Sequence, residues 1–271
     1  MPRSDEDIAN LLRWDEAAAL HLDSPFYAVR EVISGESSLS AIDSELLAGL
    51  GGRCLHPMCH IGTDTVSVAR TFSEVVGFDY SEKAVRIAGR TADRAGVRNC
   101  HFMAGDVAAI PVASACFDVV FLNWGSLVWI FDLPSVLVEL RRVLRPGGHL
   151  VVVDQHPASL TFRRGFPPSL MVPVEDYFGE RKISVDRKDY AERGADIRHT
   201  TVIEARHTMA DILRSVLSVF RLVEFQEYDS LSWQAYSGMV VSGRRLWRRK
   251  SSPVPLSFSV VAQREPGTGI H

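Results

Sequence analysis

The sequence predicts an α/β fold built on a doubly wound parallel sheet. Two observations carry that expectation. The stretch from Arg53 to Arg70 reads as a short apolar strand, a tight turn from Met58 to Gly62 and a helix opening at Thr63 or Asp64. A second buried strand, Glu74 to Asp79, follows and ends in an acid, which completes the outline of a mononucleotide-binding βαβ unit. Strand and helix patterns then keep alternating as far as Asp154, the rhythm of a parallel sheet with right-handed crossovers.

Before the first strand, residues 1–52 read as a helical segment. Asp5 or Asp7 caps a helix running through Trp14 and Ala18 and ending before Ser24 and Pro25. A shorter helix from Ala41 to Leu50 stops at Gly51 and Gly52. Ser24 to Tyr27 and Ser34 to Ser38 are loops. Lying outside the repeating pattern, this segment can act as a lid, or its aromatic residues can simply pack on the sheet.

Ser81 caps a helix that ends at Gly96, and Asn99 to Ala104 is the third strand. Pro111 to Ser114 turns into a fourth strand, Phe117 to Asn123. Leu133 to Leu144 is a helix with Val136, Leu137, Leu140 and Val143 on one face. Pro146 to Gly148 is expected to turn the chain into a fifth strand, His149 to Asp154. Residues 157–206 interrupt the alternation, too long for an ordinary connection, and form the substrate-facing insertion. Within it, Lys182 to Val185 and Ile197 to Ile203 can pair. A helix resumes near His207, Phe220 to Tyr228 and Leu256 to Gln263 are the final strands, and 264–271 is a tail. The domain proper therefore covers 53–263.

The totals exclude several classes. The chain has 271 residues, 46% of them hydrophobic and 23% charged, with net charge −3. No global field draws nucleic acid or an anionic membrane, and no apolar run reaches the roughly 20 residues of a bilayer span. The polar, acidic N-terminus is unlike a signal peptide, so the expected location is cytoplasmic. Gly243 to Lys250 is basic with an embedded Trp247, and reads as a solvated hairpin-like loop in preference to a phosphate-tracking surface. Four cysteines are too few for a disulfide scaffold. Cys54, His56, Cys59 and His60 cluster without a second pair at zinc-site spacing, so no metal is expected and buried thiols are the better reading.

The turn from Met58 to Gly62 has a single glycine, too few to cradle a pyrophosphate. A ligand that presents a carboxylate and a ribose needs less clearance. Asp79 is placed to accept from two ribose hydroxyls, and Asp106, after the third strand, from an adenine amino group. An adenosine carrying an amino-acid tail fits better than a dinucleotide does.

Leu55 to Gly62, Gly77 to Asp79, Gly105 to Val107, Phe117 to Val120 and Leu144 to Gly148 together resemble the class I S-adenosylmethionine-dependent methyltransferases. The resemblance covers residues 53 to 154 and is specific as an ensemble. It departs at His56, where the family has an acid, and at Met58 and His60, where it has glycines. The form here is similar to a bacterial small-molecule branch, which also shares Trp14, the Asn123-Trp124 pair, the Asp154 to Pro157 segment and the helix start at His207.

The resemblance implies a Rossmann-like sheet of seven strands, the last antiparallel, holding S-adenosyl-L-methionine and releasing S-adenosyl-L-homocysteine. It places Met58, Cys59, His60, Gly62 and Thr63 along the methionine part and Asp79 on the ribose. Tyr80, Asp106 and Val107 surround the adenine, Asn123 and Trp124 sit near the sulfonium, and Trp14 closes from above. Whether His60 touches the cofactor or only shapes the turn is left open. Methyl transfer needs alignment and exclusion of water, and a base only for an acceptor that carries a proton. His156 and His207 are candidate bases, with His21 and Tyr27 in the lid as further ones. The acceptor is expected to be a small molecule methylated on N or O, in specialised metabolism. An NAD(P)-dependent oxidoreductase and a non-catalytic nucleotide- or RNA-binding protein are the alternatives, and a homo-oligomer is compatible with the sequence.

Overall fold

The computed structural model describes residues 5–162, 172–192 and 194–266. In chain order its elements are α1 (Asp5–His21), α2 (Val29–Ile33), α3 (Ala41–Leu46), β1 (Arg53–Pro57), α4 (Thr63–Val68), β2 (Glu74–Asp79), α5 (Glu82–Arg94) and β3 (Cys100–Ala104). There follow β4 (Phe117–Asn123), α6 (Leu133–Val143), β5 (Leu144–Gln155), α7 (Pro157–Leu160), β6 (Arg181–Val185), β7 (Thr201–Ala205) and α8 (Met209–Val219). The chain closes with β8 (Arg221–Tyr228), β9 (Ser230–Leu231), β10 (Val240–Gly243), β11 (Leu246–Arg248) and β12 (Ser257–Gln263). Seven strands form the main sheet in the order β3-β2-β1-β4-β5-β12-β8. The last strand, β12, runs antiparallel to both its neighbours, as the resemblance implies.

The chain divides into two compact units. The first comprises Met1–Ser38, Gly51–Val112 and Arg181–Glu204. Here β1, β2 and β3 pair in parallel, Leu55 opposite Val76 and Gly77 opposite Phe102. Nearly continuous burial along β1 and β2 marks strands covered on both faces. Helix α5 starts where Ser81 Oγ accepts the Ala84 N–H at 3.0 Å, and Ala84, Ala88 and Ala92 are its buried residues. Helix α1 packs on α5, and the hydroxyl of Ser81 donates to Asp15.

The second unit comprises Leu39–Leu50, Ala113–Glu180 and Ala205–His271. In it β4 and β5 are parallel, and α6 packs on β5 and α8. Two capping boxes, Ser40 with Asp43 and Thr208 with Asp211, fix the starts of α3 and α8. A three-stranded sheet in the order β10-β11-β9 lies in the same unit. The basic Gly243 to Lys250 stretch is its hairpin, anchored where Arg244 O accepts the Ala41 N–H at 3.0 Å.

Residues 1–52 contribute to both units: α1 bonds to β7 in the first, and in the second the Asp43 carboxylate of α3 accepts from Trp124 Nε1 at 2.9 Å. The insertion is likewise divided, with Arg181–Glu204 in the first unit and the residues before it in the second. At Pro146 to Gly148 there is no turn. β5 runs through, its pairing with β4 shifts between Phe117 and Val119, and Gly147 takes φ 83°. This is a bulge, and a side chain at Gly148 would lie 2.9 Å from the carbonyl oxygens of Asp118 and Arg145.

Candidate functional site

Loop Met58 to Gly62 joins β1 to α4, and its backbone is shaped as though it were rich in glycine. Met58 and His60 stand at φ 57° and 49°, and Gly62 at 76°. The left-handed conformation costs a non-glycine residue about 1–2 kcal/mol, so two side chains are held here against strain. Gly62 itself is sterically obligatory, since a Cβ would sit 2.6 Å from Ala88 Cβ and 2.7 Å from the Phe102 ring. Cys59 N–H donates to Phe78 O at 3.1 Å, which ties the loop to β2. Behind it, His56 is buried with Nδ1 2.8 Å from Thr65 Oγ1, so the imidazole standing at the family's acidic position braces α4.

Asp79, at the end of β2, accepts the His60 N–H at 2.8 Å and the Ser81 N–H at 2.9 Å. Its residue surface is partly exposed, yet the carboxyl group itself is enclosed. Burial pushes its pKa up to about 6, against the downward pull of the Ser81, His60 and Tyr80 amides. Thr63 and Cys59 are buried, Met58, Tyr80 and Val107 are half-buried, and Asp106 is exposed, accepting the Ala108 N–H at 2.9 Å. The four cysteines are free thiols, and burial pushes the pKa values of Cys54, Cys59 and Cys100 up.

Helix α1 and the β6–β7 pair meet this loop within the same unit. Asn10 exchanges two hydrogen bonds with the Ile203 backbone, at 2.8 and 3.1 Å. Arg13 donates to Asp186 O and His199 O. Glu16 accepts from the backbone N–H groups of Arg198 and His199 and lies 2.9 Å from His199 Nδ1. Positions 10, 13 and 16 share one helix face, so α1 is bolted along its length. That places Trp14 against His60, ring centroids 5.1 Å apart. Tyr27 stacks on His21 at 4.6 Å and shares a short hydroxyl contact with Tyr190.

In the second unit, Asn123 is buried and Trp124 packs edge-on to Trp233 at 6.0 Å. Asp154 accepts from the Gly125, Leu127 and Gln155 N–H groups, which hold the loop after β4, while burial raises its pKa. His156 is the N-cap of α7, its Nδ1 accepting the Ala158 N–H at 3.0 Å. Its Nε2 stands 2.9 Å from Glu227 Oε1, outside hydrogen-bond alignment. Burial lowers its pKa, opposed by Glu227. His207 Nε2 donates to Ile130 O at 2.7 Å. Each of these two imidazoles thus has one ring nitrogen spent on backbone. Burial and the neighbouring Tyr190 push the Tyr27 pKa well up.

The structure therefore brings Trp14, Tyr27, His60 and Asp79 together. It adds His21, a minor candidate in the sequence, and Asp189 and Tyr190, which carried no sequence signal because they lie in the irregular insertion.

A seven-stranded sheet in the order β3-β2-β1-β4-β5-β12-β8, with β12 antiparallel, a tight loop after β1 and an acid after β2, has the arrangement of the class I S-adenosylmethionine-dependent methyltransferase fold. Residues 51–170 match the model of a family described as methyltransferase domain. A demethylmenaquinone methyltransferase of Lactococcus lactis is 34% identical over 94 residues, 34% of this chain and 37% of that one. The match thus spans well under half the length of that relative. The structure is similar to an S-adenosylmethionine-dependent methyltransferase from Mesorhizobium loti, with TM-score 0.57 and 19% identity, covering 81% of this chain and 94% of that one. It is also similar to the geranyl diphosphate C-methyltransferase of Streptomyces coelicolor, solved with S-adenosyl-L-homocysteine, with TM-score 0.51 and 14% identity over 81% and 74% of the chains. This chain has the class I S-adenosylmethionine-dependent methyltransferase fold.

Proposed function

We propose that the protein transfers a methyl group from S-adenosylmethionine to a small-molecule acceptor. The observation that carries this reading is the junction of the strained Met58 to Gly62 loop with the Asp79 carboxylate at the end of β2. That carboxylate is an acceptor for the ribose hydroxyls, and the loop's backbone is shaped for the amino-acid tail. Thr63, Tyr80, Asp106 and Val107 complete the cofactor side, with Trp14 covering it.

The chemistry asked of the protein is modest. The sulfonium is already a strong electrophile, so the chain has to align the acceptor and exclude water, and alignment alone can contribute about 7–11 kcal/mol. What supports a small organic acceptor is that a matched relative is a demethylmenaquinone methyltransferase and a similar structure a geranyl diphosphate C-methyltransferase. We read the target atom as N or O and the setting as specialised metabolism in the cytoplasm, without a nucleic-acid partner.

Calorimetric titration with S-adenosylmethionine and S-adenosylhomocysteine tests the proposal. Both are expected to bind the wild type, and Asp79→Ala to weaken binding at least tenfold. Absence of binding, or affinity indifferent to Asp79→Ala, would refute it.

A further inference from the structure

The side chain of His60 in the cofactor loop ends a set of groups with the geometry of a proton relay. Asp189 Oδ2 lies 2.9 Å from His21 Nε2, and His21 Nδ1 lies 2.7 Å from His60 Nε2. The His21 and Asp189 side chains are 0% and 1% exposed. Their order follows from what each atom can do. A carboxylate only accepts, so His21 carries its proton on Nε2, facing Asp189. Neutral His21 then offers a lone pair at Nδ1, and His60 donates to it from Nε2. The remaining nitrogen, His60 Nδ1, is left as a bare acceptor. Among the described residues nothing hydrogen-bonds to it.

The surroundings keep this arrangement in place. Asp189 is pinned by the Ala191 and Glu192 N–H groups at 2.9 and 2.7 Å. Tyr27 covers one face of His21, and Tyr190 stands edge-on to it at 5.2 Å. Burial and the neighbouring His21 hold the His60 pKa well below the ordinary histidine range, so His60 stays neutral. Burial raises the Asp189 pKa, but His21 and the Glu192 and Ala191 N–H groups together outweigh it and lower the pKa, keeping Asp189 ionised. Both nitrogens of His21 are spent on hydrogen bonds, so the three groups do not converge as metal ligands would, and among the described residues no cluster of that kind occurs.

We propose that His60 Nδ1 is the proton acceptor for a protic methyl acceptor, a hydroxyl or an ammonium, with His21 and Asp189 as its positioning residues. This rests on the methyl-transfer reading and deepens it. The acceptor's X–H proton passes to His60 Nδ1 while its freed lone pair forms the new X–CH3 bond. The C–S bond breaks with its electrons remaining on sulfur. The Nε2 proton of His60 moves to His21 Nδ1, giving an imidazolium beside the ionised Asp189. His60 is neutral before and after, so no cation develops next to the departing sulfonium's site. The charge is stored one residue deeper, where a carboxylate meets it.

The test is ring-nitrogen NMR on protein labelled with 15N-histidine, with and without S-adenosylhomocysteine. The expected spectra near pH 7.5 show both His21 and His60 as Nε2–H tautomers, with an unbonded pyridine-type Nδ1 on His60. Asparagine at 189 can donate as well as accept, so in Asp189→Asn His21 is expected to lose its fixed Nε2–H tautomer. A His60 protonated on Nδ1, or a His21 tautomer unmoved by Asp189→Asn, would overturn the relay. The wild-type spectra decide the matter even if the variant fails to fold. Failure of S-adenosylhomocysteine to bind by calorimetry would instead remove the cofactor reading, and the tautomer pattern is read separately from it.

Discussion

The backbone N–H of His60 donates to the carboxylate of Asp79 at 2.8 Å, joining a strained loop residue to the acid that closes β2. One residue thus presents its amide to the acid after β2 and its imidazole to a buried His–Asp pair. The first prediction concerns that acid. Its folded pKa is raised from 3.8 to about 6. Below 3.8 both folded and unfolded states hold the proton, and between the two values only the folded state does. Stability of the cofactor-free protein therefore falls as pH rises from about 4 to about 6 and stays lower above, by up to a few kcal/mol at about 1.4 kcal/mol per pKa unit. Asp79→Asn is expected to flatten that part of a urea-unfolding pH profile. Cofactor affinity should move the opposite way, weakening as pH drops through about 6 and the carboxylate is neutralised.

Glu16 predicts an opposite slope. The backbone and side-chain hydrogen bonds from Arg198 and His199 overcome desolvation and lower its pKa from 4.5 to about 2. Its contribution is present above 4.5 and is lost as pH falls toward 2. Glu16→Gln is expected to lower the thermal midpoint at pH 7, with the gap to the wild type closing as the pH is taken below about 4. A constant gap across that range would show that the charge is irrelevant to docking α1.

The loop makes a paired prediction. Gly62→Ala places a methyl group 2.6 Å from Ala88 Cβ at φ 76°, and denaturant unfolding is expected to show a loss of about 1–3 kcal/mol. Met58→Gly relieves a left-handed methionine instead. It is expected to leave stability unchanged or raise it by about 1 kcal/mol, after the unfolded-state entropy of glycine is deducted.

His156 predicts a distinction between shape and charge. Its Nδ1 caps α7 from a buried position. Asparagine is an equally good cap, so His156→Asn is expected to cost less than His156→Leu, which loses the cap at about 0.5–2 kcal/mol. Equal losses in the two variants, read from chemical unfolding, would mean that the ring and not its nitrogen does the holding.

The helices and main strands were legible because local chemistry dictates them. Ser81 caps α5 both in sequence and in space, and the apolar run of β4 can only be a buried strand. The β5 boundary was misread because Pro146 to Gly148 has a turn's composition, whereas a bulge against β4 uses the same residues. The short β9 and β10 escaped notice because two to four residues carry too little periodicity to register.

By itself the sequence determined the parallel α/β sheet, the loop after β1 and the acid after β2, since these depend on residues close together in the chain. Only the tertiary structure decided that Met58 and His60 keep a glycine-like backbone despite their side chains. It alone brought His21, His60 and Asp189 into one hydrogen-bonded line. Those three are far apart in sequence, and they meet because Asn10, Arg13 and Glu16 fasten α1 to the strands of the insertion. Hydrogen-bond partners so distant leave no periodic trace, so their chemistry exists only once the chain has folded.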